Sequence, residues 1–144
     1  GATHMATVYC TVTGIVRSST ETAEQTAPPG GSVATVIAEY EASSLATAQT
    51  IDICTIPPYS RYRLVQVNHD AMGAGTSLIV GISGATSQQL ASVSTVSAGV
   101  APANAGGWKQ TDTALNLIAT NTGTMTGTLQ FQVEYMRQGM ALTF

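Results

Sequence analysis

Residues 56–83 read IPPYSRYRLVQVNHDAMGAGTSLIVGIS and contain the clearest pair of strand patterns in the chain. Along residues 61–67, arginine and valine side chains alternate with tyrosine, leucine and glutamine, and a period of two residues is typical of a β-strand with two different faces. The loop of residues 68–75 contains glycines that can adopt positive φ, and residues 76–82 are apolar enough for an interior strand. We therefore expect the two strands to be neighbours in one sheet.

The rest of the sequence repeats this alternation, and no window shows a sustained apolar stripe at helical spacing. Further strand patterns lie at residues 7–16, 32–42, 50–56, 90–97, 113–119 and 128–136. We predict an all-β chain of about eight strands, a number that suits a jelly-roll-like antiparallel β-sandwich better than a small closed barrel.

The last two patterns are separated by the turn sequence NTGTMTG and are expected to form a closing hairpin. Four large side chains of the final pattern should share one face: Leu129, Phe131, Val133 and Tyr135.

The chain has 144 residues, the size of one ordinary domain. Residues 1–4 are interpreted as a cloning remnant, residues 5–31 as an N-terminal strand followed by an extended arm, and residues 32–144 as a single β-sandwich domain. The arm, residues 17–31, reads RSSTETAEQTAPPGG and has almost no large apolar group.

Charged residues form 9% of the sequence, and the formal net charge is −3 with five Lys and Arg. Such a chain has no basic stripe to neutralise phosphates, so we expect neither direct nucleic-acid binding nor binding to an anionic membrane. No run of eighteen apolar residues and no signal-peptide pattern is present, and we expect a soluble, unexported protein.

Candidate catalytic motifs are better explained structurally. His69 and Asp70 are adjacent, and neighbouring side chains on a strand or tight turn diverge, so we interpret them as a polar loop rather than a general base and its orienting carboxylate. The sequence GISGA at residues 81–85 lacks the spacing of a nucleophile elbow, and AMGAGTS lacks the lysine of a phosphate loop. Glu39 and Glu41 would lie about 7 Å apart on one strand face, without the aromatic cleft of a glycosidase. We predict no enzymatic activity and no cofactor.

The two cysteines, Cys10 and Cys54, lie in separate strand patterns, and no Cys-x-x-Cys spacing occurs. This excludes a zinc site, and the absence of an aspartate-rich loop argues against calcium, so we predict no metal. The two cysteines are either buried thiols or a disulfide across the sandwich.

Several residues are candidates for a protein interface. On residues 61–67 the alternation places Arg61, Arg63, Val65 and Val67 on one side, with Tyr59 and Tyr62 nearby, and arginine beside tyrosine is typical of interfaces, although a structural ion pair would use the same arginines. The remaining candidates are Trp108 in the glycine-rich sequence AGGWKQ and three residues of the arm, Arg17, Pro28 and Pro29.

The sequence resembles a family of small β-rich proteins of tailed-phage heads, the decoration or cement proteins. The resemblance runs along residues 32–83 and 126–136. It consists of a strand ending in Tyr40, an apolar strand end at residues 51–57, a D-A-x-G loop at residues 70–73 and a T-S-L-x-V-G strand at residues 76–81.

The resemblance implies a non-enzymatic virion protein that binds and stabilises a preformed shell of major capsid protein. It also implies a homo-oligomer, a trimer rather than a dimer, located on the capsid surface and assembled in the host cytoplasm. An alternative is a receptor- or carbohydrate-binding module of a phage tail or cell-surface assembly. In that case Trp108 would be a sugar platform rather than a loop anchor.

Overall fold

The computed structural model describes residues 7–12, 15–16, 34–103 and 108–137, which form a sandwich of two β-sheets. Within these residues the strands are β1 Thr7–Tyr9, β2 Thr11–Val12, β3 Ile15–Val16, β4 Ala34–Leu45, β5 Thr50–Ile56, β6 Ser60–His69, β7 Ser77–Ile82, β8 Ala85–Ser94, β9 Gly99–Pro102, β10 Lys109–Thr111, β11 Leu115–Thr122 and β12 Met125–Arg137.

One sheet has five strands in the order β1-β5-β11-β7-β8. The other has seven, in the order β10-β6-β12-β4-β2-β3, with β9 also paired to β6. Neighbouring strands are antiparallel except β1 and β5, which are parallel. The core lies between the sheets and is dominated by aliphatic side chains and a few aromatic rings. The predicted all-β sandwich is confirmed.

The predicted neighbours in residues 56–83 are in different sheets, so that prediction is wrong. Strand β6 pairs with β12, whereas β7 pairs with β11 and β8. The connecting loop crosses the end of the sandwich and is held by Met72, whose amide donates to the carbonyl of Thr95 and whose carbonyl accepts from the amide of Thr126. Its side chain is buried between the sheets. A short loop with glycines fits a hairpin and a crossover equally well, which is why the pattern alone misleads.

The predicted closing hairpin is wrong for the same reason. Strand β11 belongs to the five-stranded sheet and β12 to the seven-stranded sheet, and the chain passes between them through Gly123, which has φ 83°. The face predicted on β12 is confirmed, because Leu129, Phe131, Val133 and Tyr135 are each at most 1% exposed.

A β-bulge in β6 changes which side chains face the core. Gln132 lies opposite Gln66, whereas Val133 lies opposite Leu64, so Val65 is an extra residue on β6. The extra residue reverses the alternation. Val67, expected on the side of the arginines, is therefore fully buried.

The N-terminal region differs from the single strand predicted at residues 7–16. Strand β1 joins the five-stranded sheet, whereas β2 and β3 join the seven-stranded sheet. Cys10 lies between β1 and β2, and its amide donates to the carbonyl of Asp52 at 3.0 Å. Cys10 and Cys54 are both buried and form no disulfide, which confirms the buried-thiol interpretation. The predicted arm, residues 17–31, lies outside the described residues.

Candidate interaction surface

His69 and Asp70 do not form a catalytic pair. Nδ1 of His69 lies 3.1 Å from the main-chain oxygen of Asp70. The Asp70 carboxylate instead accepts a hydrogen bond of 2.9 Å from the amide of Thr128. This geometry agrees with a polar loop in which the aspartate satisfies a backbone donor.

A row of polar side chains crosses the outer face of the seven-stranded sheet. The Gln130 amide donates to Glu39 at 2.7 Å and accepts from Asn68 at 2.7 Å, and Gln66 donates to Asn68 at 3.4 Å. Beside this row is a shallow depression of about 240 Å³, lined by Glu39, Asn68, His69, Asp70, Gly99, Thr128 and Gln130. These polar groups bond mainly to one another, so the row ties three strands together and presents no activated nucleophile.

Arg63 is the centre of a small cluster on the same face. It lies opposite Glu134 on β12, and its Nε and Nη2 atoms lie 2.8 and 2.6 Å from Oε1 of that carboxylate. The guanidinium also stacks over the ring of Trp108, 4.7 Å from its centre. Of the two alternatives for this arginine, the structure shows the intramolecular ion pair.

The other predicted interface residues have different surroundings. Tyr59 is 40% exposed and has an unusual φ of 57°, and Arg61 is exposed beside it. Tyr62 is 2% exposed, because its ring points between the sheets, so it is removed from the candidate surface. Trp108 is half-buried under Arg63, an arrangement that favours a loop anchor over an open sugar platform. Arg17, Pro28 and Pro29 lie outside the described residues.

The outer face of the five-stranded sheet carries a second candidate surface, which sequence reasoning did not identify. On β11, β7 and β8, directly opposed residues form three rows of three. These nine residues define what we call the uncharged face: Thr122, Ser77 and Ser94; Thr120, Ile79 and Ser92; Ile118, Gly81 and Gln89. A signal was present in the sequence, because residues 77–94 and 115–122 contain no Asp, Glu, Lys or Arg.

Charge is divided unequally between the two sheets. Among the described strands, the five-stranded sheet has one charged residue, Asp52, which is 8% exposed. The charged residues of the seven-stranded sheet are Glu39, Glu41, Arg61, Arg63, Lys109, Glu134 and Arg137. The sandwich therefore has one nearly charge-free side and one side with both signs of charge.

Within the described part of the chain, no group of three or more His, Cys, Asp or Glu side chains is placed to hold a metal ion. The same residues contain no helix that is long and apolar enough to cross a membrane.

Neither a protein-family model nor a curated protein sequence matches the chain. Solved structures do match it over most of its length. A chain in the capsid of Ralstonia phage GP4 is 15% identical with a TM-score of 0.61, and the match covers 83% of this chain and 95% of that one.

Two further structures match in the same way. A chain of the cyanophage Pam1 capsid asymmetric unit is 20% identical with a TM-score of 0.63, over 80% of this chain and 94% of that one. A chain in the acid-stable capsid of Helicobacter pylori bacteriophage KHP30 is 12% identical with a TM-score of 0.60, over 76% and 91%. The present chain shares the fold of these capsid chains.

Proposed function

We propose that this chain is a non-enzymatic phage virion protein that decorates the head, binding and stabilising a shell of major capsid protein. The observation that carries the proposal is the match to chains from three phage capsids. In each case the match covers more than nine-tenths of the other chain, so the likeness extends over a whole protein and not over one common motif.

The size of the matched chains supports a decorating role over a shell-forming one. Each match covers a larger share of the other chain than of this one, so each of those chains is somewhat shorter than 144 residues. The described residues fold as a single sandwich. A protein of this size fits the decoration family, whose members are small and β-rich.

The surface chemistry also supports a structural role. Short Ser, Thr and Ala side chains lose little rotamer entropy when a contact orders them and allow close approach of two backbones. On the seven-stranded sheet, Arg63 bonds to Glu134, and Gln130 bonds to Asn68 and Glu39. The strongest catalytic candidate, His69, contacts a main-chain oxygen. These side chains are therefore suited to protein–protein contact and to a structural role.

We further propose that the chain self-associates, with trimers favoured over dimers, and that the segment with Arg17, Pro28 and Pro29 lies along a neighbouring chain. An extended peptide segment can add as a strand to a sheet edge, where its backbone exchanges hydrogen bonds to water for hydrogen bonds to that edge. Exposed Tyr59 and Arg61 are candidates for contacts between copies.

Sedimentation with shells that lack this chain tests the proposal, with light scattering of the pure protein in parallel. We expect co-sedimentation that saturates at a fixed ratio of this chain to shell protein, and a solution mass larger than one chain. A monomer that never sediments with shells would refute both the decorating role and self-association.

A further inference from the structure

We infer that the uncharged face on β7, β8 and β11 is the surface that meets the capsid shell, at a patch of the shell that is itself poor in charge. The inference rests on the proposed function and adds which side of the sandwich makes the contact. On other parts of the described surface, several polar side chains form hydrogen bonds within the chain. The uncharged face is exposed to solvent, and Ile79, Ser92 and Ser94 are among its exposed residues.

The composition of the face determines what can bind to it. Its middle row places Ile79, which is 39% exposed, between Thr120 and Ser92, and the two flanking rows contribute hydroxyl, amide, glycine and isoleucine groups. A partner that buried a charge here would lose hydration without gaining a counter-charge, and that exchange is costly. The face therefore selects an uncharged protein surface.

The opposite side of the sandwich is less suited to a close contact of this kind. Its outer face carries Glu39, Glu41, Arg61, Arg63 and Glu134. Covering that face would require desolvating several charges, and the ion pair between Arg63 and Glu134 is already formed within the chain. Exposure to solvent is therefore more favourable for that face than burial against a partner.

The area of the uncharged face favours the shell over a second copy as its occupant. The nine residues span five or six positions on each of the three strands, and a strand spacing of about 4.8 Å with about 3.3 Å per residue gives roughly 240 to 290 Å². A stable dimer in solution buries about 800 Å² on each partner. A shell repeats the same patch many times, so an oligomer that occupies several patches at once gains avidity that one small contact lacks.

The test compares lysine substitutions on the two sides of the sandwich. Ile79→Lys and Ser92→Lys place a charge in the middle row of the face, and Gln132→Lys places the same charge on the outer face of the seven-stranded sheet. Binding to shells lacking this chain is measured by sedimentation at about 50 and 500 mM NaCl, and circular dichroism with a thermal midpoint verifies the folding of each variant. Ser92 is exposed on an edge strand, so its variant keeps the test valid if Ile79→Lys folds poorly.

We expect both variants of the uncharged face to bind shells at least about tenfold more weakly than the parent protein, and Gln132→Lys to bind nearly as well as the parent. The change from low to high salt should alter the binding of the parent protein by less than about twofold. Parent-like binding by Ser92→Lys, or a loss confined to Gln132→Lys, would overturn the inference while leaving the decorating role intact. A fall in solution mass caused by the face variants would assign the face to a second copy and also overturn it. Failure of the parent protein to bind shells would remove the proposed function, and this assignment with it.

Discussion

The guanidinium of Arg63 lies over the ring of Trp108, with 4.7 Å between the guanidinium carbon and the ring centre. The same arginine is paired with Glu134 on the adjacent strand β12, so its side chain connects Trp108, the residue before β10, to the seven-stranded sheet. The stacking makes Trp108 part of the fold.

A double-mutant cycle measures this contact. Urea unfolding of Arg63→Ala, Trp108→Ala and the double variant should give a coupling free energy of about 0.5 to 1 kcal/mol. Each single variant already removes the cation–π attraction, so the double variant should lose less stability than the two single variants added together. The matched cycle that combines Trp108→Ala with Asn116→Ala, an exposed position on the five-stranded sheet, should give no measurable coupling. Equal coupling in both cycles would mean that the stacking contributes nothing specific.

Asn121 should be the most sensitive buried polar residue of the described chain. It is 1% exposed; its amide nitrogen donates to the carbonyls of Ala46 at 2.8 Å and Gly123 at 3.0 Å, and its oxygen accepts from the amide of Gln49 at 2.9 Å. Asn121→Ala leaves these groups without a partner and should lower the free energy of unfolding by about 2 to 4 kcal/mol.

The control for Asn121 is Asn116→Ala. Asn116 is exposed and its side-chain oxygen accepts a hydrogen bond from Thr55, so removal of the side chain should cost less than about 1 kcal/mol in the same denaturation experiment. Similar losses for both variants would show that burial does not set the cost.

Gly127 should tolerate no side chain. Its φ is 141°, and an added Cβ would lie 2.8 Å from Sδ of buried Met72 and 3.1 Å from Cβ of Asp70. Gly127→Ala should destabilise the domain by about 2 to 4 kcal/mol through backbone strain and overpacking. Gly75→Ala has positive φ but open space around it, so about 1 to 2 kcal/mol is expected there. Equal midpoints in urea would contradict the steric account.

Stability should fall at alkaline pH. Burial raises the pKa of Tyr62 and Tyr135 above the ordinary value of 10.0. Above pH 10 the unfolded chain loses phenol protons that the folded chain retains, so the contribution of these two phenols to the free energy of unfolding is constant below that pH and decreases above it. Tyr135→Phe should make this decrease shallower in urea titrations at about pH 9 to 11. An unchanged slope would contradict a protonated buried Tyr135.

The sequence predicted strand existence and strand faces better than strand partners. The alternation on β12 identified Leu129, Phe131, Val133 and Tyr135 because side-chain direction is a local property with a period of two. Pairing is not local. The sequence patterns of β6 and β7 would be the same whether the two strands lay in one sheet or in two. One inserted residue, Val65, reversed the predicted face of Val67.

The candidate surfaces show a similar division. The Arg63 cluster depends on the register of β6 against β12 and on where Trp108 returns to the sheet, neither of which the spacing specifies. The absence of charge in residues 77–94 and 115–122 was visible in the sequence. The sequence alone does not show that these stretches form one surface, because that depends on β11, β7 and β8 being neighbours in the sheet.

Replacing the segment at residues 17–31 should separate folding from assembly. Val16 and Glu39 both lie opposite Thr11, and Ala34 is five residues from Glu39 along β4, so Val16 and Ala34 are roughly 20 Å apart. A simple deletion would leave two residues to span a distance for which they supply at most about 10 Å. The suitable variant therefore carries a flexible Gly/Ser linker of about ten residues in place of residues 17–31.

We expect the linker variant to keep nearly the parent's thermal midpoint, because the replaced segment lacks the large apolar groups that offset backbone ordering. Its binding to shells should be weaker, or its assembly smaller, in sedimentation. An unfolded linker variant would instead show that residues 17–31 belong to the folded core.

Heating packaged heads with and without this chain tests the central claim most directly. The temperature at which heads release DNA, followed with a dye that fluoresces on DNA, should be higher when the chain is bound and should return to the higher value when purified chain is added back to heads that lack it. Release at the same temperature with saturating bound chain would contradict a role in stabilising the shell.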